Sequence, residues 1–134
     1  MRTLLLLACS ATMIAACSDK NEAAEDKLER AAQTSAKVAG ALPAALGLTE
    51  AQLLDADLVG ADGQDMGDVE QVLRDADNRV DRLLVELDGI GPDHYVHVPI
   101  TGLKTVVKGD DTDLVTPMTK ADLVALPEVK LPAP

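Results

Sequence analysis

One stretch, residues 58–69, constrains the fold of this chain more than any other. It reads Leu-Val-Gly-Ala-Asp-Gly-Gln-Asp-Met-Gly-Asp-Val. An apolar run ends in an Asp-Gly pair, which is a strong signal for a hairpin turn, and a second apolar run follows. Gly67 lies near the start of this second run, where a β-bulge or a tight bend requires a residue without Cβ. The stretch therefore predicts the first hairpin of a small antiparallel barrel.

The same pattern continues to the end of the chain, as short apolar runs separated by Gly- and Asp-rich turns. Val85 and Val98 are expected on the inward faces of their strands, and Thr119 is expected to cap a helical turn over residues 119–126 that Pro127 ends. We predict strands over residues 53–59, 66–73, 80–87, 94–100, 105–107 and 114–116. Several short strands at this spacing predict a mainly β fold, a small antiparallel β-barrel.

The N-terminus has the features of a secretory signal. Arg2 supplies a positive charge, an apolar stretch too short to span a membrane follows, and the segment ends in Ile-Ala-Ala-Cys at Cys17. This ending resembles a lipobox, the cleavage and lipidation signal of bacterial lipoproteins. By that resemblance residues 1–16 are a signal peptide, and Cys17 becomes the lipid-carrying first residue of the mature chain. By the sorting rule of some proteobacterial lipoproteins, a residue other than Asp directly after the lipidated Cys, here Ser18, favours the outer membrane over the inner membrane.

A helix is predicted between the lipidation signal and the barrel, over residues 22–38, because the segment is rich in Ala and lacks Gly and Pro. Its apolar stripe comprises Leu28, Ala31, Ala32, Ser35 and Ala39. A stripe made mostly of Ala buries little area, so we interpret the helix as a weakly packed tether, with a partner-docking helix as the alternative. The domain boundaries follow: signal peptide 1–16, lipidated N-terminus with tether and linker 17–49, barrel 50–128, and Pro-rich tail 129–134.

Composition excludes several function classes. The net charge is −11, which disfavours nucleic acid and anionic lipid headgroups as partners, and a chain with one Tyr and no Trp or Phe has no stacking platform for bases. Residues 50–128 contain no Ser and no Cys, so a Ser-His-Asp or Cys-His site inside the barrel is excluded by inventory. We therefore expect a protein that is not an enzyme and that carries no cofactor.

Two acidic segments invite a metal-site interpretation. The run that starts at Asp75 has the outline of an EF-hand loop, but Arg79 and Val80 occupy a ligand position and the glycine position, so a hairpin turn is the better interpretation. Asp110, Asp111 and Asp113 are weak candidates for a Ca²⁺ or Mg²⁺ site, since charge runs in loops are usually only solvated. His94 and His97 are three residues apart on a predicted strand, so they are not expected to share a metal.

The barrel segment resembles the PRC-barrel family, named for the cytoplasmic domain of the photosynthetic reaction centre H subunit. The resemblance covers residues 53–127 and rests on turn glycines and aliphatic positions: Leu58-Val59-Gly60, Asp62-Gly63, Met66-Gly67, Val96-His97-Val98-Pro99 and Thr119-Lys120-Ala121-Asp122-Leu123. It implies a small β-barrel used for interaction or structure, and the family pattern contains no catalytic residues to carry over.

The sequence therefore predicts a non-enzymatic, lipid-anchored, periplasm-facing envelope protein whose barrel is a protein-interaction or structural module. Its expected partners are the membrane, through the lipid, and another envelope protein. Tyr95 and His97 are the candidate interaction patch, because they point away from the inward-facing Val96 and Val98 and have large polar-tipped side chains. The alternative is an envelope protein that binds a small ligand or a divalent cation.

Overall fold

The computed structural model describes residues 19–91 and 93–132 and shows a mainly β protein with one long helix at its N-terminal side. The helices are α1 (Asp19–Ala39), α2 (Glu50–Leu54) and α3 (Lys120–Val124). The strands are β1 (Pro43–Ala45), β2 (Leu48–Thr49), β3 (Asp57–Gly60), β4 (Asp65–Arg74), β5 (Val80–Leu87), β6 (Tyr95–Pro99), β7 (Lys104–Lys108), β8 (Asp111–Thr116) and β9 (Glu128–Val129). The predicted signal peptide and Cys17 lie outside the described residues.

Seven of these strands form one sheet in the order β7-β8-β3-β4-β5-β6-β9. The prediction of an entirely antiparallel barrel was wrong in one pairing, because β3 and β8 run parallel, with Leu58 opposite Leu114. Within the described part of the chain the two end strands, β7 and β9, do not pair with each other, so the sheet is not a closed barrel. The parallel pair is possible because the long connection from β3 through four further strands lets the chain return in the same direction.

The first hairpin, between β3 and β4, has the predicted turn and bulge. Gly63 has a φ of 81°, and the Asp62 carboxylate accepts a hydrogen bond from the Gln64 amide at 3.1 Å. The β3–β4 register shifts between Leu58 and Val59, opposite Gly67. A Cβ on Gly67 would lie 2.0 Å from the backbone oxygen of Glu86 in β5. Gly67 is therefore required because β5 approaches the β4 backbone too closely for any side chain.

The predicted first strand, over residues 53–59, was wrong at its start, because Leu53 and Leu54 are the last residues of helix α2 and the strand begins at Asp57. Thr49 accepts a hydrogen bond from the Gln52 amide, and the Gln52 side chain accepts one from the Thr49 amide. This reciprocal capping box starts a helix in a segment whose apolar residues also fit a strand. Leu53 of this helix is fully buried.

The predicted linker after α1 also has regular structure. Strands β1 and β2 form a short hairpin whose turn places Leu46 and Gly47 at positive φ, 54° and 76°. The turn that starts at Asp75 is a hairpin turn as predicted, with Asn78 at a φ of 62° and the Asp75 carboxylate accepting from the Asp77 and Arg79 amides. Near the C-terminus, Thr119 caps α3 as predicted. Strand β9 (Glu128–Val129) spans the predicted boundary between the barrel and the Pro-rich tail.

The hydrophobic core lies on one face of the sheet. The predicted inward residues Val85 and Val98 are buried there at 0% and 1% exposure. The core cluster also contains Leu53, Leu58, Leu83, Leu87, Val96, Leu114 and Leu123. Beside it, the buried carboxylate of Glu50 accepts a hydrogen bond from Arg74 at 2.8 Å. Helix α1 lies on the opposite side of the sheet, where it contacts β4 and α2 and reaches β6 through a hydrogen bond between Glu25 and Tyr95.

Candidate functional site

The face of the sheet next to α1 carries a line of carboxylates that runs across neighbouring strands. Asp57 of β3 is directly opposite Asp68 of β4. Asp68 is in turn opposite Glu86 of β5, and Glu86 is opposite Tyr95 of β6. We call Asp57, Asp68 and Glu86 the acidic row. Like charges directly opposite each other in a sheet are destabilising, so this row opposes folding unless a positive charge or a proton compensates it.

Helix α1 packs over the acidic row with few apolar anchors. Its buried residues are Ala24, Ala32 and Ala36, which share one helix face. Of the predicted stripe, Ala32 is buried, Leu28 and Ala39 are half-buried, and Ala31 and Ser35 are exposed. The stripe is rotated from its predicted position because alanines lie on several faces of this helix, and hydrophobicity alone does not choose among them.

Two polar contacts join α1 to the sheet and to the loop before β6. The Tyr95 hydroxyl donates to Oε1 of Glu25 at 3.3 Å. The Asn21 amide donates to Oδ2 of Asp93 at 2.6 Å. Both contacts link residues about seventy positions apart, so they fix how the helix lies on the sheet. The helix is therefore docked on the sheet, through alanines and these two hydrogen bonds, and its role as a tether or a partner-docking helix stays a prediction.

A cleft of about 870 Å³ lies between α1 and the sheet, and we call it the acidic cleft. Tyr95, Val69 and several alanines form its less polar walls. Among the described residues that line it, the only basic side chain is Lys37. Its acidic lining residues are Glu25, Asp26, Glu29, Asp55, Asp57, Asp68, Glu70 and Glu86. Eight carboxylates with one lysine give the cleft a strongly negative potential.

Five carboxylates of the cleft, those of Glu25, Glu70 and the acidic row, have pKa values above their ordinary values. Burial, followed by the charge of Glu86, raises the pKa of Glu70. Burial also raises the pKa of each acidic-row residue, and the neighbouring carboxylates raise it further. A hydrogen bond shared with Asp93 raises the pKa of Glu25. The common direction reflects the partial burial of these carboxylates and the neighbouring carboxylates that they face.

The predicted interaction patch is divided by α1. Tyr95 and His97 do lie on the face of β6 opposite Val96 and Val98, as predicted. Tyr95, however, is only 2% exposed, because α1 covers it, and burial together with the Glu86 charge raises the pKa of its phenol. His97 is half-buried, and burial and the Arg82 charge lower its pKa. Tyr95 is therefore part of the floor of the acidic cleft and is not free to anchor a partner while α1 is docked.

The weak metal candidates are not brought together in a ligating arrangement. Asp113 is buried, and its Oδ2 lies 2.9 Å from Nζ of Lys108, whereas Asp110 and Asp111 are exposed in and after the β7–β8 turn. In residues 19–91 and 93–132, no three His, Cys, Asp or Glu side chains are grouped so that they could hold a metal ion.

Sequence reasoning missed the acidic cleft, although part of its signal is visible in the sequence. Asp57, Asp68 and Glu86 each lie at an outward position of a predicted strand, but only the register of three strands shows that they face one another. Glu25 and Glu29 line the cleft only because of how α1 lies on the sheet. The Ala-rich sequence of the helix does not specify that position.

No model of a known protein family matches this chain. A search of curated proteins finds no similar sequence either. None of the helices that the structure describes is both long enough and apolar enough to cross a bilayer.

Proposed function

We propose that this protein is a non-enzymatic, lipid-anchored envelope protein whose β domain is an interaction module, and that its acidic cleft accepts a positively charged segment of a partner protein. The observation that carries the proposal is the acidic row, three carboxylates directly opposite one another on adjacent strands under a helix that adds more carboxylates. Lysine or arginine side chains entering the cleft would relieve this repulsion. The binding energy would come from charge neutralisation in a partly buried groove.

The chemistry of the cleft supports binding in preference to catalysis. Its polar lining consists of carboxylates, one amide, one lysine and the Tyr95 phenol. The raised pKa of the phenol keeps it protonated, and its hydroxyl is engaged with Glu25, so it is a poor nucleophile and a poor base. A groove of this size suits one or two long side chains of a protein segment.

The finer description of the fold, a PRC-barrel-like domain, is part of the same proposal. It is supported by the Asp62-Gly63 turn, the close approach of β5 at Gly67 and the short helix that Thr119 caps, each at the position that the resemblance assigns. Members of that family with interaction or structural roles provide the analogy, which is one of fold and not of a site.

The lipid anchor is proposed at Cys17, from the lipobox-like sequence. Helix α1 begins at Asp19, so only Ser18 separates the proposed lipid from the docked helix. A docked α1 would hold the sheet close to the bilayer surface, whereas a free tether of the same helix would allow about 30 Å of reach. The module would therefore act on partners near the membrane. By the sorting rule applied to Ser18, that membrane is the outer one.

The proposal is tested by titrating the full chain, in non-ionic detergent, with the peptide Lys-Ala-Ala-Lys-Ala-Ala-Lys and measuring the heat of binding. The double variant Asp68→Asn/Glu86→Gln should weaken binding about tenfold, since two of the facing charges are removed. The matched control Asp110→Asn/Asp111→Asn removes two exposed charges outside the cleft and should change the affinity less than about twofold. Equal losses in the two variants would show that the peptide responds only to net charge and would contradict the proposal.

The same preparation tests the alternative of divalent-cation or small-ligand binding. Under the interaction proposal, millimolar CaCl₂ should compete weakly with the peptide and raise the melting temperature only slightly. A large calcium-dependent rise in melting temperature that disappears in Asp68→Asn/Glu86→Gln would favour the cation-binding function instead.

A further inference from the structure

Strand β7 leaves one side of the sheet open for pairing. It is the last strand at its end of the sheet and pairs only with β8 among the described strands. All five of its residues are exposed, and Val107 and Val106 are 72% and 38% exposed. The other end of the sheet differs, because it finishes in the two-residue strand β9, and very short edge strands resist further pairing. A five-residue strand exposed on both faces is therefore the sheet's open edge.

The backbone groups that face outward on β7 follow from its hairpin. Lys108 pairs with Asp111 across the two-residue turn, and the register continues with Val106 opposite Asp113 and Lys104 opposite Val115. Hydrogen-bonded and non-bonded pairs alternate along an antiparallel ladder, and the pair that closes a two-residue turn is bonded. The amides and carbonyls of Thr105 and Val107 therefore point away from β8 and are free to bond a further strand.

The charges of β7 indicate what kind of strand would fit. In a chain of net charge −11, it is the only described strand whose charged residues are all basic. Lys104, Val106 and Lys108 share one face, because side chains alternate along a strand. Lys108 is paired with Asp113, whereas Lys104 makes no ion pair within the described residues. An added strand is favoured when it places acidic residues opposite the lysines and an aliphatic residue opposite Val106.

A second copy of this chain is a poor occupant of the edge. In a two-fold antiparallel pairing centred on Val106, Lys104 of one copy would lie opposite Lys108 of the other. Like charges directly opposite are destabilising, and lysines on an edge strand are a common protection against self-association. The charge pattern therefore disfavours a homodimer and favours a different, acidic strand.

We propose that the outer edge of β7 is a strand-addition site for an extended segment of a partner protein in which two acidic residues flank an aliphatic residue at alternate positions. The segment would run antiparallel to β7 and bond the outward backbone groups of Thr105 and Val107. This surface involves none of the residues that line the acidic cleft. Because the edge favours an acidic segment and the cleft a basic one, the two sites are distinguished by the charge of the probe.

The test is a nuclear magnetic resonance titration of the full chain, in non-ionic detergent, with the peptide Glu-Val-Val-Thr-Glu and with its charge-reversed control Lys-Val-Val-Thr-Lys. Only the acidic peptide should shift the β7 resonances and protect the Thr105 and Val107 amides from solvent exchange. Protection of the Val106 amide should not change, since that amide already bonds β8. Absence of protection at millimolar peptide, or an equal response to the control peptide at β7, would overturn the proposal.

Three variants sharpen the result. Val107→Pro removes an outward amide without removing a bond to β8 and should abolish binding of the acidic peptide. Lys104→Glu should weaken binding about fivefold or more. The control Lys27→Glu makes the same charge change at an exposed residue of α1 and should have little effect. Unchanged resonances for the core residues show that each variant is folded. If Thr105 and Val107 are already protected in the free chain and sedimentation shows a dimer, the occupant is a second copy and the proposal is wrong.

Discussion

Replacing Gly67 with alanine should destabilise the protein far more than the same change in an open turn. The new Cβ would lie 2.0 Å from the Glu86 backbone oxygen and 3.0 Å from its carbonyl carbon. A backbone oxygen held in a ladder cannot rotate away, so β4 and β5 would have to separate by about 1 Å, at a cost of about 1–3 kcal/mol. The φ of 154° adds about 1–2 kcal/mol of backbone strain for a residue with a Cβ. The expected loss is therefore about 2–5 kcal/mol, a large fraction of the stability of a small domain.

Gly63 provides the matched control for this variant. It has a φ of 81°, and no atom lies within 4 Å of the position its Cβ would take. Gly63→Ala should therefore cost only the backbone strain, about 1–2 kcal/mol. Urea unfolding followed by far-ultraviolet circular dichroism measures both losses against the wild type in the same buffer. A Gly67→Ala loss no larger than that of Gly63→Ala would refute the close approach of β5 and the register built on it.

Four further predictions concern the buried ion pair, the cleft and the anchor. Arg74→Met leaves the buried Glu50 carboxylate without its charged partner and should cost about 2–3 kcal/mol in urea unfolding, most of it recovered by adding Glu50→Gln. Burial raises the pKa values of the acidic-row residues. At pH values just above the ordinary carboxylate pKa, the folded chain therefore binds more protons than the unfolded chain, so its stability falls as the pH rises. Raising the pH above the ordinary carboxylate pKa should therefore lower the melting temperature, and that fall should shrink when the acidic row is neutralised. Tyr95→Phe removes the hydrogen bond to Glu25 and should cost about 1 kcal/mol, seen as loss of α1 protection in hydrogen exchange. Cys17→Ser should abolish acylation. If mass spectrometry shows that the mature N-terminus of the wild-type protein is unmodified, the lipid anchor is refuted.

The parts of the fold that follow from local sequence were predicted well. The β5 strand has the predicted bounds, because alternating aliphatic residues between two turns leave one choice of register. The Asp62-Gly63 turn, the Asn78 turn and the Thr119 cap each follow from a residue type with a specific backbone preference. Core residues such as Val85 and Val98 follow from the same alternation.

The parts that depend on how distant segments meet were not predicted. The parallel pairing of β3 with β8 joins residues more than fifty positions apart, and the turn signals between them do not specify it. Helix α2 was missed because its apolar residues fit either a strand or a short helix, and only the reciprocal Thr49–Gln52 cap decides between them. The burial of Tyr95 was missed for a related reason, since it depends on where α1 docks. An Ala-rich helix carries too little hydrophobic contrast to predict that.

Whether a basic segment binds in the acidic cleft is most directly tested by mapping the Lys-Ala-Ala-Lys-Ala-Ala-Lys peptide on the full chain by nuclear magnetic resonance. The side-chain carboxylate resonances of the acidic row, Glu25 and Glu70 should shift together in one saturating transition, and the shifts should vanish at high salt. Carboxylates outside the cleft, such as Asp110 and Asp111, should change little. Shifts spread evenly over all exposed carboxylates, or no saturation at the cleft, would contradict a binding site there.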